Sequence, residues 1–295
     1  MNISVIGSKG LASKLGKKGT ASDIALYNTS YDGKHFTFVE PETYPEKAQT
    51  LFQAMNMCQF SIIYVTSETP RNVIGECVLA VDMLKKPGMI VLDSFSEEDM
   101  RQLLKGTFLE NFPIVAANTS EIMPILSGFS LLKADGKPRV VIDHAFNVKS
   151  VGTIALGTVM SGEIKKHDSM TLYPAKKDVT IKSIQIHDKE CDSGACNDRV
   201  GLSLKGAEVS DIPRGSVVSS SAECVKEMDV VFEKNKFFRE EMPKNVMCVV
   251  GLQYVNAIMD GGKMVFGKEV AFSGEEIIVL APEKKMRIAG IARKS

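Results

Sequence analysis

The stretch that decides the fold contains VIDHAFNVKSVGTIALGTVMSG, residues 141 to 162. Between Lys137-Pro138 and Ser221 no amphipathic helical pattern occurs in the sequence, and β-branched residues alternate with polar ones between turn signals. This periodicity predicts antiparallel β-structure over residues 139 to 219, with a domain boundary just before it.

A second alternation in the same region predicts an irregular strand. The apolar positions are Val179, Ile181, Ile184 and Ile186. They keep a period of two except for one slip after Ile181, and this slip predicts a β-bulge. Beyond Ser221 further strands are expected, and they would form a separate β domain.

Upstream of the β region, short apolar runs alternate with amphipathic helices. Strands are expected at 3–6, 36–39, 60–65, 89–92 and 113–117, and helices from Pro45, over 70–85 and from Ser96. Strands that alternate with helices indicate a mainly parallel sheet, whose ligands bind outside the carboxyl ends of the strands. The loop after Ile6 is therefore the place to look for a ligand site.

Composition limits the classes of partner. The 295 residues include 36 basic and 36 acidic ones, so the protein has no overall field that draws it to nucleic acid. Any RNA contact must be local, and DNA is not an expected partner. The six cysteines include no Cys-x-x-Cys pair, and no apolar run approaches the roughly 18 residues of a membrane span. We expect a cytoplasmic protein with reduced thiols and no membrane partner.

The loop after Ile6 departs from a phosphate-binding loop. That motif requires Gly-x-x-x-x-Gly-Lys-Ser/Thr, because backbone amides, a lysine and a hydroxyl bind the phosphates and Mg²⁺. Here five residues instead of four separate Gly10 from Gly16, and Lys18 follows Gly16-Lys17 where a hydroxyl is needed. The motif fails at two points.

Two regions of the sequence carry a resemblance to a known superfamily. The 139–219 region, with Ile184–Asp188 and Arg199–Gly206, resembles the second domain of elongation factor Tu and of the selenocysteine-specific factor, both translational GTPases. LGKKGTASDI at 15–24, with Tyr27-Asn28, is similar to degenerate selenocysteine-factor-like proteins of methanogenic archaea, among them the pyrrolysine-associated homologue.

The resemblance implies an α/β plus β fold. A degenerate, mainly parallel G-domain-like sheet over 1–135 would be followed by two antiparallel β barrels, over 137–222 and, in a shortened form, over 223–295. The G-domain signatures are eroded: Glu40-Pro41 lies where the family has Asp-x-x-Gly, only Asp93 remains of Asn-Lys-x-Asp, and residues 117–120 do not match the last guanine motif. Phosphoryl transfer needs all of these groups together, so we expect no catalytic residue and no GTP hydrolysis.

The basic segment near the N-terminus supplies candidate anion-binding residues. They are Gly7, Lys9, Lys17, Lys18 and Thr20, and Asp93 from the guanine motif completes the set of candidate nucleotide-binding residues. The alternative is a solvated basic loop, in which Thr20 caps the following segment instead of being a remnant of the threonine that contacts Mg²⁺. No cofactor is expected, and structural binding of GTP or GDP stays open.

Two residues of the β domain are candidates for RNA contact. Arg214 and Asp211 lie in a Ser210–Gly215 loop that resembles the family loop near the aminoacylated 3′ end of tRNA. The alternative for Arg214 is an intradomain salt bridge. No metal site is expected at His187, Asp188, Cys191, Asp192 and Cys196. Two thiolates and one imidazole leave zinc without a fourth ligand, and their spacing is not that of a zinc site.

The expected function is that of an elongation-factor-like binding protein, a pseudo-GTPase that engages tRNA, the ribosome or another translation component. Two alternatives remain open at this point. One is an elongation factor that binds GTP through an unconventional phosphate loop. The other is a scaffold or regulator unrelated to tRNA.

Overall fold

The computed structural model describes residues 1–131 and 134–295, except the side chain of Thr20. The chain divides into two compact units, Met1–Leu131 and Leu132–Ser295. Among helices of the described residues, none combines the length and apolarity needed to cross a membrane.

The first unit is a seven-stranded sheet with helices. Its strands follow in the order β2-β3-β4-β1-β5-β6-β7. Strands β4, β1, β5, β6 and β7 are parallel, whereas β2 and β3 run antiparallel to their neighbours, which confirms the mainly parallel sheet. The strands are β1 (Asn2–Gly7), β2 (Lys17–Ala21), β3 (Ala25–Tyr31), β4 (Lys34–Glu40), β5 (Phe60–Thr66), β6 (Gly88–Asp93) and β7 (Ile114–Ala116). The helices are α1 (Leu11–Leu15), α2 (Ala48–Asn56), α3 (Arg71–Leu84), α4 (Glu97–Leu104) and α5 (Thr119–Gly128).

Burial explains why these segments adopt their structure. Six consecutive positions of β5, from Phe60 to Val65, are buried, as expected for a strand covered on both faces. Helix α3 packs a stripe that includes Ile74, Cys77 and Val81, each with no exposed surface. The side chain of Ser96 accepts a hydrogen bond from the amide of Asp99 and begins α4, as predicted.

Residues 11–31 differ from the sequence prediction. The basic loop expected around Lys17 and Lys18 is wrong, because both residues lie on β2, the outermost strand of the sheet. The backbone of Thr20 also belongs to β2, so Thr20 does not cap a helix. Helix α5 was not predicted, because Pro124 lies inside it.

The first part of the second unit is a closed β barrel. Its strands form the ring β11-β16-β8-β9-β15-β12, which the pairing of β12 with β11 closes. The predicted bulge is confirmed between Ile181 and Ser183 of β12. The strands are β8 (Arg139–Val148), β9 (Gly152–Ser161), β10 (Glu163–Lys165), β11 (Ser169–Tyr173), β12 (Lys177–Ile186), β13 (Lys189–Cys191), β14 (Ser193–Ala195), β15 (Arg199–Lys205) and β16 (Val217–Ser219).

The second part is a further closed antiparallel barrel, with strand order β17-β20-β19-β18-β21-β22. The two predicted antiparallel barrels are therefore confirmed. Strand β19 was not predicted, since β18 and β19 are joined by the tight turn at Gly251. The strands are β17 (Glu223–Lys234), β18 (Asn245–Val250), β19 (Gln253–Asp260), β20 (Lys263–Phe272), β21 (Ile277–Leu280) and β22 (Ile288–Lys294).

The two barrels contact each other within the second unit. The guanidinium of Arg139 lies 3.5 Å from the carboxylate of Glu275, and both side chains are mostly buried. At a second point the backbone of Gly215 lies directly against the backbone of Gln253. An ion pair between Lys176 and Glu269, at 2.8 Å, adds an exposed contact between the barrels.

Candidate functional site

The loop between β1 and α1 lies at the carboxyl end of the parallel strands, as predicted. The last residue of β1, Gly7, has φ +100°, and a Cβ there would lie 2.3 Å from the carbonyl oxygen of Tyr64 on β5. The next amide, that of Ser8, donates to the same carbonyl at 2.8 Å. Gly7 is thus required by the close approach of two backbones.

A carboxylate of the protein itself occupies the next part of this loop. The amide of Gly10, just before α1, donates to Oε1 of Glu40 at 3.0 Å. Glu40 is the last residue of β4 and is 3% exposed. Burial, together with the charge of Glu42, raises the pKa of Glu40 to about 7, although the Gly10 hydrogen bond and the charges of Lys9 and Lys18 lower it.

The predicted anion-binding lysines are directed to Glu42. The ammonium of Lys9 donates to the Glu42 carbonyl oxygen at 2.7 Å, and that of Lys18 lies 3.8 Å from its Oε1. Lys17 is exposed on β2, and the side chain of Thr20 lies outside the described residues. The structure therefore brings the ammonium groups of Lys9 and Lys18 together, because both contact the acidic residue Glu42.

Asp93 is the last residue of β6 and lies at the same carboxyl end of the parallel strands. Its Oδ2 accepts a hydrogen bond from the hydroxyl of Tyr64 at 3.1 Å and lies 4.0 Å from the ammonium of Lys14. The side chain of Asp93 is 44% exposed. These two contacts come from β5 and α1, and the hydroxyl of Ser94 donates to Oδ1 of Asp93 at 3.3 Å.

Three residues with hydroxyl groups also lie at this carboxyl end of the sheet and were not predicted. The hydroxyl of Ser8 lies 2.5 Å from that of Thr69 and 3.2 Å from that of Thr66. Thr69 also accepts the amide of Thr66 at 2.7 Å. These hydroxyls hold the loop on the end of β5, and no local sequence signal marks such a cluster.

The predicted RNA-contact residues lie on the first barrel. Nε of Arg214 donates to the carbonyl oxygen of Asp143 at 3.3 Å. The carboxylate of Asp211 accepts from the amide of Glu208 and from the ammonium of Lys177, which together hold the pKa of Asp211 below its usual range. The local fold thus holds both candidates in place.

Behind Arg214 lies a buried ion pair. The guanidinium of Arg199 on β15 donates to both carboxylate oxygens of Asp143 on β8, at 2.7 and 2.9 Å. The side chains are 14% and 8% exposed. This bidentate pair fixes the first half of β8, which also carries the acceptor for Arg214.

Beside this pair, β8 presents two ring side chains that the sequence analysis did not single out. His144 and Phe146 lie two residues apart, both exposed, with ring centroids 5.7 Å apart. Lys149 is exposed in the adjoining turn between β8 and β9. The alternation along β8 places both rings on the outer face of the barrel, and that pattern would have revealed them.

The cysteines considered for zinc contact backbone carbonyls. The thiol of Cys196 lies 3.4 Å from the carbonyl oxygen of Met160, and that of Cys191 lies 3.6 Å from the carbonyl oxygen of Lys189. Over residues 1–131 and 134–295, no group of three or more His, Cys, Asp or Glu side chains is arranged to hold a metal ion.

Known proteins resemble this chain over nearly its whole length. Residues 152–219 match the family described as Elongation factor Tu domain 2. The uncharacterized protein MJ0325 of Methanocaldococcus jannaschii is 31% identical over 297 residues, which cover 97% of this chain and 96% of that protein. The selenocysteine-specific elongation factor of the same organism is 27% identical over 75% of this chain, and the match spans about half, 52%, of its own length.

A solved structure has the same fold. Translation elongation factor SelB from Methanococcus maripaludis, crystallised with the GTP analogue GppNHp, superposes with a TM-score of 0.85 at 21% identity. The superposition covers 100% of this chain and 78% of that one. The full-length relative shows that the chain belongs to the same family as MJ0325, and the Elongation factor Tu domain 2 match and the selenocysteine-specific relative make it a relative of the SelB-like translation elongation factors in the translational GTPase superfamily.

Proposed function

We propose that this protein is a cytoplasmic elongation-factor-like adaptor that binds tRNA, the ribosome or another translation component and has lost GTP hydrolysis. The observation that carries the loss of GTP hydrolysis is the hydrogen bond from the Gly10 amide to the buried carboxyl group of Glu40. Glu40 of the chain itself therefore accepts the hydrogen bond that the Gly10 amide would otherwise donate to a phosphate oxygen.

Charge supports the same conclusion. A phosphate at this loop would meet the carboxyl group of Glu40, which already takes the Gly10 amide, and the negative charge of Glu42, and like charges at short range repel one another. Lys9 and Lys18 already contact Glu42, so their ammonium groups have a partner within the chain itself. No hydroxyl follows Gly16-Lys17 to hold Mg²⁺, and catalysis of phosphoryl transfer depends on that ion.

The first barrel supports the binding half of the proposal. Unpaired RNA bases stack on exposed aromatic rings, and lysine or arginine contacts the adjacent phosphates. Phe146 and His144 supply the rings, while Lys149 and Arg214 supply positive charge on the same barrel. The elongation factor Tu domain 2 match covers most of this region.

Titration with a fluorescent GDP analogue tests the loss of the nucleotide switch. We expect no saturable binding at micromolar protein and no GTP hydrolysis above the rate of buffer alone. Weak adsorption to surface charge would disappear with added salt and would be equal for Lys17→Ala and for Lys268→Ala on the second unit. Saturable micromolar binding that Lys17→Ala alone weakens would instead support a GTP-binding factor with an unconventional loop.

Filter binding of aminoacyl-tRNA tests the proposed RNA contact. We expect Phe146→Ala to weaken binding roughly tenfold, because stacking of one base on an aromatic ring contributes about 1–3 kcal/mol. Phe108→Ala is the matched control, since Phe108 is similarly exposed but lies in the first unit. Equal effects of the two variants would contradict the assignment. Complete lack of retention, of tRNA and of ribosomes, would favour the scaffold unrelated to tRNA.

A further inference from the structure

Glu40 is buried with little local compensation for a negative charge. It is 3% exposed, and the Gly10 amide donates one hydrogen bond to its carboxyl group at 3.0 Å. A buried carboxylate is costly unless cations or several donors contact it. The geometry therefore favours a carboxyl group that keeps its proton.

The charged groups around Glu40 do not remove this cost. Lys9 from the loop and Lys18 from β2 attract it, but both direct their ammonium groups to Glu42. Glu42 itself repels a second negative charge. The remaining titratable neighbours are tyrosines, Tyr27 on β3 and Tyr64 on β5, whose hydroxyls donate to Glu42 and Asp93.

We propose that Glu40 is a proton-dependent latch: with its proton it stays buried and holds the Gly10 amide, and without it the carboxylate turns to water and frees that amide. The turn suits such a movement because a Cβ built on Gly10 would have nothing within 4 Å, so open space surrounds this residue. Ser8 stays anchored to Tyr64 on β5, so the opening is confined to Gly10 and the side chain of Glu40. The latch regulates the loop at which we propose nucleotide binding is lost, and it does not depend on that loss.

The sign of the pH effect follows from the direction of the shift. Burial raises the pKa of Glu40 from 4.5 to about 7, so the closed form binds the proton more tightly than the open form. Closure is therefore complete at low pH and is weakened as pH rises through 7. Between about pH 5.5 and about pH 8.5 these two pKa values lower the closed-to-open ratio roughly thirtyfold.

Hydrogen exchange of the Gly10 amide, measured by NMR and corrected for the intrinsic rate, tests the latch. We expect protection to fall roughly thirtyfold over that pH range in the natural protein and to stay constant in Glu40→Gln. Glu42→Gln is the matched control and should keep the pH dependence. The amide of Ile62, in the centre of β5, reports global unfolding, and its protection should exceed that of Gly10 throughout the range, so that Gly10 exchange reports the local opening.

Several outcomes would overturn the latch. They are Gly10 protection independent of pH, an equal pH dependence in Glu40→Gln, or its loss in Glu42→Gln alone. If Glu40→Gln does not fold, the carboxyl ¹³C shift of Glu40 in the natural protein decides: a midpoint near 7 supports the latch, and one below about 5.5 refutes it. The GDP titration is a separate measurement, so either proposal can fail without the other.

Discussion

Replacing Asp143 by alanine is expected to lower the free energy of unfolding of the barrel unit by about 3–5 kcal/mol. The carboxylate of Asp143 is the bidentate partner of Arg199, at 2.7 and 2.9 Å, and both side chains are almost buried. Without it the guanidinium keeps its charge, because arginine is not deprotonated in proteins. An uncompensated buried charge is the source of the loss.

Urea unfolding followed by circular dichroism measures this effect. Glu227→Ala is the matched control, because Glu227 pairs with Lys263 at 3.1 Å on an exposed surface and should cost less than about 1 kcal/mol. Replacing both members of the buried pair by Asp143→Leu and Arg199→Met should recover part of the loss. Equal costs for Asp143→Ala and Glu227→Ala would show that the buried pair contributes no more than a surface pair.

Gly215→Ala is expected to destabilise the same unit by about 3 kcal/mol. Gly215 has φ +88°, and a Cβ there would lie 2.6 Å from the backbone nitrogen of Gln253 and 2.8 Å from the carbonyl carbon of Leu252. These two atoms are backbone of the other barrel, which cannot rotate away as the third close neighbour, Cγ of the Gln253 side chain at 2.7 Å, could. One methyl group would therefore force the barrels apart at this contact.

Comparing the thermal unfolding of Gly215→Ala and Gly261→Ala separates two costs: the collision of the new Cβ with the other barrel, and the strain of a positive φ. Gly261 has φ +57° and nothing within 4 Å of a built Cβ, so its substitution measures the cost of positive φ alone, about 1 kcal/mol. We expect Gly215→Ala to lower the midpoint clearly more than Gly261→Ala. Equal shifts would mean that the barrels yield at this contact without cost.

The parts of the fold that were predicted correctly have a regular local pattern. The alternation in β12 was strong enough to locate its bulge, and the fully apolar run of β5 indicated a buried strand. Strand β3 was missed because only its first half is buried, so it shows no period of two. Helix α5 was missed because Pro124, which normally ends a helix, lies within it.

The candidate site was harder to predict because its contacts are distant in sequence. Gly10 and Glu40 lie 30 residues apart and meet through the position of β4 beside β1. The failed phosphate motif was visible in the sequence, but the carboxylate that takes its place was not. Phe146 was not singled out, because the exposure of a single ring depends on which face of β8 it occupies.

The lysines of β2 gain a different meaning from their place in the sheet. An outermost strand offers unpaired amides and carbonyls to any other strand, and natural proteins discourage such aggregation with charge, lysine above all. Lys17 and Lys18 lie on this strand, both exposed. A second copy that paired along the same strand would set ammonium against ammonium, so these residues protect the free edge against self-association.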